Sequence, residues 1–307
     1  MRTHESTCRD ILRLFIWFPF RWLLRIIPVD VSFLLFKLLG GLHFCIESKK
    51  KKRKLWDNFK GRSHLDTSSS SSSSIKIVKK YYELHYLDRL HIFLYPKLTT
   101  IKKIEKYVCF ENIEAIVEAL KNGRGALLVQ PHFGPIQITL LSLALYGYSP
   151  LQIGYPTGKG LSKIGRSVAF KYRLKYEAIL PAPIIPADKY LGSVYKHLKK
   201  GGVVLTTGDG AGGGIFLGEQ KDFKILNKTR KIPLGPATWS LKTGAAYIPT
   251  FIIAENYKRF RIVFEKPISG IYNDTDKDKI YITKKFINIT EHYIKRYPFC
   301  WHFLDEI

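Results

Sequence analysis

The segment 126-ALLVQPHFGPIQITLLSLALYG-147 decides how this chain folds. Residues 126–129 form a short apolar run of strand length. Gln130 and Pro131 follow, then His132, and from about Pro135 comes an apolar stretch of helical length. A strand passing straight into a helix is the repeating unit of α/β domains with parallel sheets. Pro135 suits the first turn of that helix. Ligands of open α/β sheets bind beyond the carboxyl ends of the strands, so His132 stands where chemistry is expected. The free N–H groups of a nearby helix start disfavour a permanently charged imidazole. They suit a neutral ring that can take a proton from a hydroxyl. The plain alternative is a structural histidine bonded to a backbone carbonyl.

The same alternation extends outward. Helical patterns cover 75–95 and 112–120, the second stopped by Gly123. After the 126–129 strand and its helix, strands are predicted at 151–153, 178–180, 203–206, 247–253 and 260–264. Helices are predicted at 162–174, 187–199, 236–242 and 277–296. A long Gly-rich loop follows residue 206. The reading is an α/β fold: a mixed, largely parallel sheet flanked by helices, with an apolar helical segment in front. No internal repeat is present.

That front segment, 11-ILRLFIWFPFRWLLRIIPVDVSFLLFKLLGGLHFC-45, is interrupted by Arg13, Arg21, Arg25, Asp30 and Lys37. No uncharged run reaches the ~18 residues of a clean membrane span. The arginine spacing of eight and four places them on roughly one side of a helix. Trp17, Phe18, Phe20 and Trp22 cluster with them as interfacial anchors do. An in-plane membrane helix is the expectation, against the alternative of two helices packed on the domain. No cleavage site follows, which argues against a signal peptide. The basic run 48-SKKKKRK-54 suits anionic headgroups at ~1 kcal/mol per charge near the surface. The run 67-TSSSSSSS-74 reads as a flexible loop. The expected organisation is 1–54 membrane-associating, 55–74 a flexible Ser-rich loop, and 75–307 the α/β domain.

The chain has 307 residues and a net charge of +25, from 50 Lys and Arg against 25 Asp and Glu. Such a surplus fits nucleic acid, an anionic membrane or an acidic partner. Nucleic acid would account for the charge but not the apolar front segment, and no recognised module is present. The four cysteines form no CxxC pair, so no metal site or disulfide framework is expected. The loop 207-TGDGAGGG-214 lacks the Lys-Ser/Thr of a P-loop, and no G-x-S-x-G elbow appears. Nucleotide hydrolysis and serine-hydrolase chemistry are therefore unsupported.

His132 and Gln137 sit in HFGPIQ, which resembles the H-x4-D/E motif of the lysophospholipid acyltransferase superfamily, closest to the lauroyl and myristoyl transferases of lipid A. Further segments resemble that branch in order: 112-NIEAIVEALKNGRGALLVQPHFG-134, 196-KHLKKGGVVLTTGDGAGGGIF-216, 232-IPLGPATWSLKTGAAYIPTFI-252 and 294-IKRYPFCWHF-303. The resemblance covers nearly the whole chain. It implies an acyltransferase-type αβα fold and an enzyme without a cofactor. His132 would deprotonate a hydroxyl of a lipid acceptor, and that oxygen would attack an acyl thioester carried by acyl carrier protein or coenzyme A. It implies a place on the cytoplasmic face of a bacterial inner membrane, peripheral or monotopic.

One position departs from the motif. The family has an acid where this chain has Gln137. A glutamine carbonyl can fix a histidine tautomer but cannot stabilise an imidazolium by charge. Three outcomes stay open: a weaker dyad, an acid supplied from elsewhere, or a lipid-binding relative without catalysis. Asp209 is the candidate substitute, set against a plain turn residue. Arg166 and Lys159 fall in the basic region where the family meets phosphates, and both are candidates for substrate binding, as are Gly134 and Gly210 within the quoted motifs.

Overall fold

Five consecutive buried residues, Ala126–Gln130, make the strand at the middle of the sheet. Their Leu and Val side chains are apolar on both faces, the signature of a strand covered by helices on each side. The computed structural model describes residues 7–60, 71–155, 157–158, 160–210, 218–272 and 274–306.

Along the chain come α1 (Thr7–Phe15), a π turn (Ile16–Phe20), α2 (Arg21–Ile26), α3 (Val29–Ile46), α4 (Lys49–Lys60) and α5 (Ser71–Leu90). A 3-10 turn (His91–Leu94), α6 (Ile101–Ile104), β1 (Val108–Glu111), α7 (Glu114–Lys121), β2 (Ala126–Gln130), α8 (Gln137–Leu145) and β3 (Leu151–Gly154) follow. Next are a second π turn (Gly165–Phe170), α9 (Lys171–Glu177), β4 (Ile184–Pro186), α10 (Gly192–Lys199), β5 (Val203–Thr207), β6 (Gln220–Ile225) and β7 (Lys228–Pro233). The chain ends with α11 (Gly235–Thr243), β8 (Ala246–Ala254), β9 (Phe260–Phe264), α12 (Thr275–Arg296) and 3-10 turns at Pro298–Cys300 and His302–Glu306.

The main sheet has the order β1-β9-β8-β2-β5-β3-β4, and β6 pairs with β7 in a separate ribbon. Every neighbour in the main sheet is parallel except β8–β9. The path from β2 to β3 to β4 runs one way across the sheet, and the path from β4 to β5 to β8 runs back. Right-handed crossovers therefore put α8 and α9 on one face and α10 and α11 on the other. The helix contacts agree: α10, α11 and α12 pack in series, while α6 packs on α8 and α9 on the His91–Leu94 turn. That turn also touches α2, α3 and α5, so the N-terminal helices belong to the α8–α9 face.

The N-terminal helices share the core. Leu24, Phe33, Phe36 and Leu55 are almost wholly buried in it. On the opposite side of α3, Val31, Leu34, Leu38, Leu42 and Ile46 are exposed. Their spacing of three or four residues makes one apolar outer stripe. Among the described residues α3 is the one helix long and apolar enough to cross a membrane, by length and composition alone. Its Asp30 accepts hydrogen bonds from Tyr107 and Lys258.

Several local expectations change. Arg13 and Arg21 do not share an outer face with Arg25. Arg13 pairs with Asp10 and Ser162, and Arg21 is buried with its guanidinium 4.7 Å over the Tyr172 ring. Ile11, Leu12, Phe15 and Trp22 are left outside instead. Residues 178–180, expected as a strand, follow directly from α9, and the strand lies at Ile184–Pro186, where Pro183 accepts a bond from Gln152. The expected loop 55–74 is helical at both ends, in α4 and α5; its residues 61–70 lie outside the described ones.

Candidate active site

The register of β2 against β5 creates the central pair. Gln130 faces Thr207 at the carboxyl ends of these parallel neighbours. His132 lies two residues beyond the first and Asp209 two beyond the second. The ladder continues one step past the sheet, with Gly208 N–H donating to the Gln130 carbonyl at 2.9 Å. Equal overruns from paired strands bring the two side chains together. His132 Nδ1 lies 2.7 Å from Asp209 Oδ1, and the His132 backbone N–H donates to Asp209 Oδ2 at 2.9 Å.

Asp209 is completely buried, whereas the His132 side chain is 26% exposed. Trp301 Nε1–H donates a third hydrogen bond to Asp209, at 3.0 Å. Desolvation opposes the carboxylate charge, but the His132 charge and these donors outweigh it and hold its pKa below the usual value. Burial likewise pushes the imidazole toward its neutral form, and Asp209 outweighs it, so the His132 pKa is raised. The environment thus favours the imidazolium more than a helix start alone would. With Nδ1 held by Asp209, Nε2 is the ring nitrogen left for a substrate.

The C-terminal segment fixes this loop from above. His302 N–H donates to the His132 carbonyl, and Gly134 N–H to the Cys300 carbonyl at 2.7 Å. Gly134 has φ +62°, and a Cβ there would stand 2.7 Å from the Ile252 carbonyl oxygen. Only glycine fits that crossing. Phe303 places its ring 4.7 Å from the imidazole, and the Arg230 guanidinium stands 4.6 Å over the Phe303 ring. Asp88 lies 3.8 Å from His302 Nδ1 and adds negative potential at His132, while Arg230 adds positive potential there.

Gln137 is elsewhere. Its Nε2 donates to Glu177 at 2.9 Å, and its Oε1 lies 3.1 Å from the Tyr95 hydroxyl. Glu177 is buried and also bonded by Arg173 Nε at 2.7 Å. His91 is buried and, with its pKa lowered by burial, neutral. Its Nδ1–H donates to the Leu87 carbonyl, and Nε2 receives the Tyr95 hydroxyl at 2.7 Å. The amide therefore does not orient His132. It donates to a buried carboxylate and lies beside a buried Tyr–His pair.

Of the other candidates, Arg166 is exposed in the second π turn. Gly210 has φ +91°, with the Lys231 carbonyl close to where its Cβ would be. Lys159 lies outside the described residues. Trp301, Phe303, Arg230, Asp88 and Glu177 belong to the site's surroundings but carried no role in the sequence reading. The Trp301 indole, a polar group within an apolar C-terminal stretch, was the one available signal, since a buried indole N–H needs an acceptor. A cavity of about 300 Å³ lies at the amino ends of the strands, beside Arg124, Ser240 and Ala246, away from His132. Among the described residues no cluster suits a metal ion.

A carboxylate–imidazole pair at the carboxyl edge of a parallel sheet, with one ring nitrogen open, is suited to taking a proton from a hydroxyl. No curated protein matches the chain significantly. The model of the bacterial lipid A biosynthesis acyltransferases, however, matches residues 3–306, and the chain belongs to that family.

Proposed function

We propose that the protein transfers a fatty acyl chain from an acyl thioester to a hydroxyl of a membrane lipid, with His132 as general base. The observation that carries this reading is the 2.7 Å contact between His132 Nδ1 and the buried Asp209. Nε2 takes the acceptor hydroxyl's proton as its oxygen attacks the thioester carbonyl. The tetrahedral intermediate collapses, the C–S bond breaks, and the thiolate leaves with the proton returned by the imidazolium. Asp209 holds the tautomer and stabilises the ring while it is charged. No covalent enzyme intermediate is required. Family membership implies acyl donor and lipid acceptor in general terms.

The exposed stripe on α3, with Trp22, Leu23 and Ile26 of α2, supports attachment along the membrane plane. The basic run in α4 and the net charge of +25 favour the anionic cytoplasmic leaflet of a bacterial inner membrane. A lipid-binding relative without catalysis is less well supported, because the charge missing at Gln137 is supplied by Asp209.

His132→Ala tests the base. General-base assistance contributes typically ~10²–10⁴ in rate. The variant should lose acyl transfer by at least that factor, from carrier-protein and coenzyme A thioesters alike, with an unchanged melting curve. Full activity in a folded His132→Ala enzyme would remove this residue from the chemistry.

A further inference from the structure

We propose that the β6–β7 ribbon is the docking surface for an acidic carrier protein that presents the acyl thioester to His132; this rests on the acyl-transfer reading above. The ribbon pairs with no strand of the main sheet. Each of its strands has six residues, about 20 Å of length. It carries Lys221, Lys224, Lys228, Arg230 and Lys231 against a single acid, Asp222, which Lys231 neutralises at 3.3 Å. The four lysines are exposed, and none of the ribbon's large apolar side chains is.

The two faces of the ribbon differ. Phe223 faces Arg230 across the register, and Lys221 faces Ile232. Ile225 and Ile232 are buried, and Arg230 is half-buried on the same side. Arg230 lies over the Phe303 ring, which itself lies against His132. Lys221 and Lys228 lie on this side too, so a partner that reaches them is two side chains from the base. The Arg230 guanidinium is placed to meet the phosphate of a thioester-bearing prosthetic arm.

The ribbon is also a fixed feature. Its turn places Leu226 at φ +49° and Asn227 at φ +64°, both in the left-handed region. Leucine is uncommon there, and here it is buried, with its N–H donated to Glu291 of α12. That latch ties the ribbon to the α12 face of the sheet, while the exposed apolar stripe belongs to the α3 face. A membrane contact mixes aromatic and aliphatic side chains with its cations, as Trp22 and Leu23 do beside Arg25. The ribbon shows its cations without such apolar partners. Its length suits an extended acidic protein face better than a single nucleotide.

The test uses the full chain with Lys224→Glu/Lys228→Glu, and Lys224→Gln/Lys228→Gln as a milder pair. Neither lysine touches the dyad. Affinity for a purified acyl carrier protein is measured by fluorescence anisotropy at low and high salt, beside sedimentation with anionic phospholipid vesicles. The charge-reversed variant should bind the carrier about tenfold or more weakly, the neutralised one less weakly, with vesicle binding unchanged within twofold. Transfer from the carrier thioester should fall in kcat/KM while transfer from coenzyme A thioester changes less than threefold. Unchanged carrier affinity in both variants overturns the proposal. So does an equal loss of vesicle binding, which would make the ribbon a membrane contact. Binding is read without turnover, so a carrier that docks through the ribbon while no acyl group moves refutes the acyl-transfer reading and leaves the docking surface standing.

Discussion

A general base with a raised pKa reaches its active form only at higher pH. Asp209 is what raises the His132 pKa against burial, so removing its charge should move the acidic limb of kcat/KM to lower pH. In Asp209→Asn the neutral imidazole persists further into acid, but the imidazolium formed during transfer is no longer stabilised. The expected result is a rate loss of ~10²–10⁴ with the limb displaced toward acid, read from a pH–rate profile. An unshifted limb would mean that Asp209 does not set this titration. Gln137 gives the opposite kind of test. Its amide donates to Glu177, so Gln137→Glu sets two carboxylates face to face. A like charge raises a carboxyl pKa. The folded protein then binds more protons than the unfolded chain above about pH 4, and stability falls as pH rises. Melting curves should show a loss of about 1–3 kcal/mol at neutral pH, largely recovered in acid, with no gain in activity. A faster enzyme would indicate that position 137 does serve the imidazole.

At the scale of elements, His132 could be placed beyond a strand end from the apolar run and Pro135 alone. Its pairing with Asp209 could not, because β2 and β5 are neighbours in space with 72 residues between Gln130 and Val203 in the chain. Only once they are neighbours does the equal overrun of two residues acquire meaning. Residues 178–180 misled because an apolar triplet can end a helix as readily as it fills a strand. The β6–β7 ribbon escaped notice for another reason: lysines at most exposed positions hide the two-residue alternation of Phe223, Ile225, Arg230 and Ile232. The arginine spacing in the front segment was real, but partners on the domain turned Arg13 and Arg21 inward and left the apolar side out. That inversion makes the outer stripe testable. Leu38 and Leu42 are 57% and 59% exposed. Leu38→Glu/Leu42→Glu should change stability by no more than about 0.5 kcal/mol yet reduce sedimentation with anionic vesicles tenfold or more. Vesicle binding equal to that of the unmodified protein would place the membrane contact elsewhere.

For the whole molecule, the apolar front segment has one face buried in the core and one exposed, and this decides how it can be removed. The pattern of residues 11–45 alone would recommend a chain beginning at Ile75 as a soluble form. The packing argues otherwise. Leu24, Phe33, Phe36 and Leu55 are each at most 2% exposed and join the same core as β1, β9 and α5. Full burial of such side chains contributes roughly 1.5–3 kcal/mol each, about 6–12 kcal/mol for the four. Whole domains are stable by only about 5–15 kcal/mol. Asp30 also ties α3 to Tyr107 and Lys258 beside β1 and β9, and the cut would leave those groups without their partner. A chain of residues 75–307 should therefore aggregate or melt without a cooperative transition, even in detergent-free buffer at low concentration. The Leu38→Glu/Leu42→Glu protein, changed only on the exposed stripe and with its core whole, should remain monodisperse with its cooperative melt intact. Size-exclusion chromatography and circular dichroism on the two proteins decide between these expectations. A monodisperse, cooperatively melting 75–307 chain would show that the α/β domain stands without its N-terminal helices, and that their inner face is an accessory to the fold.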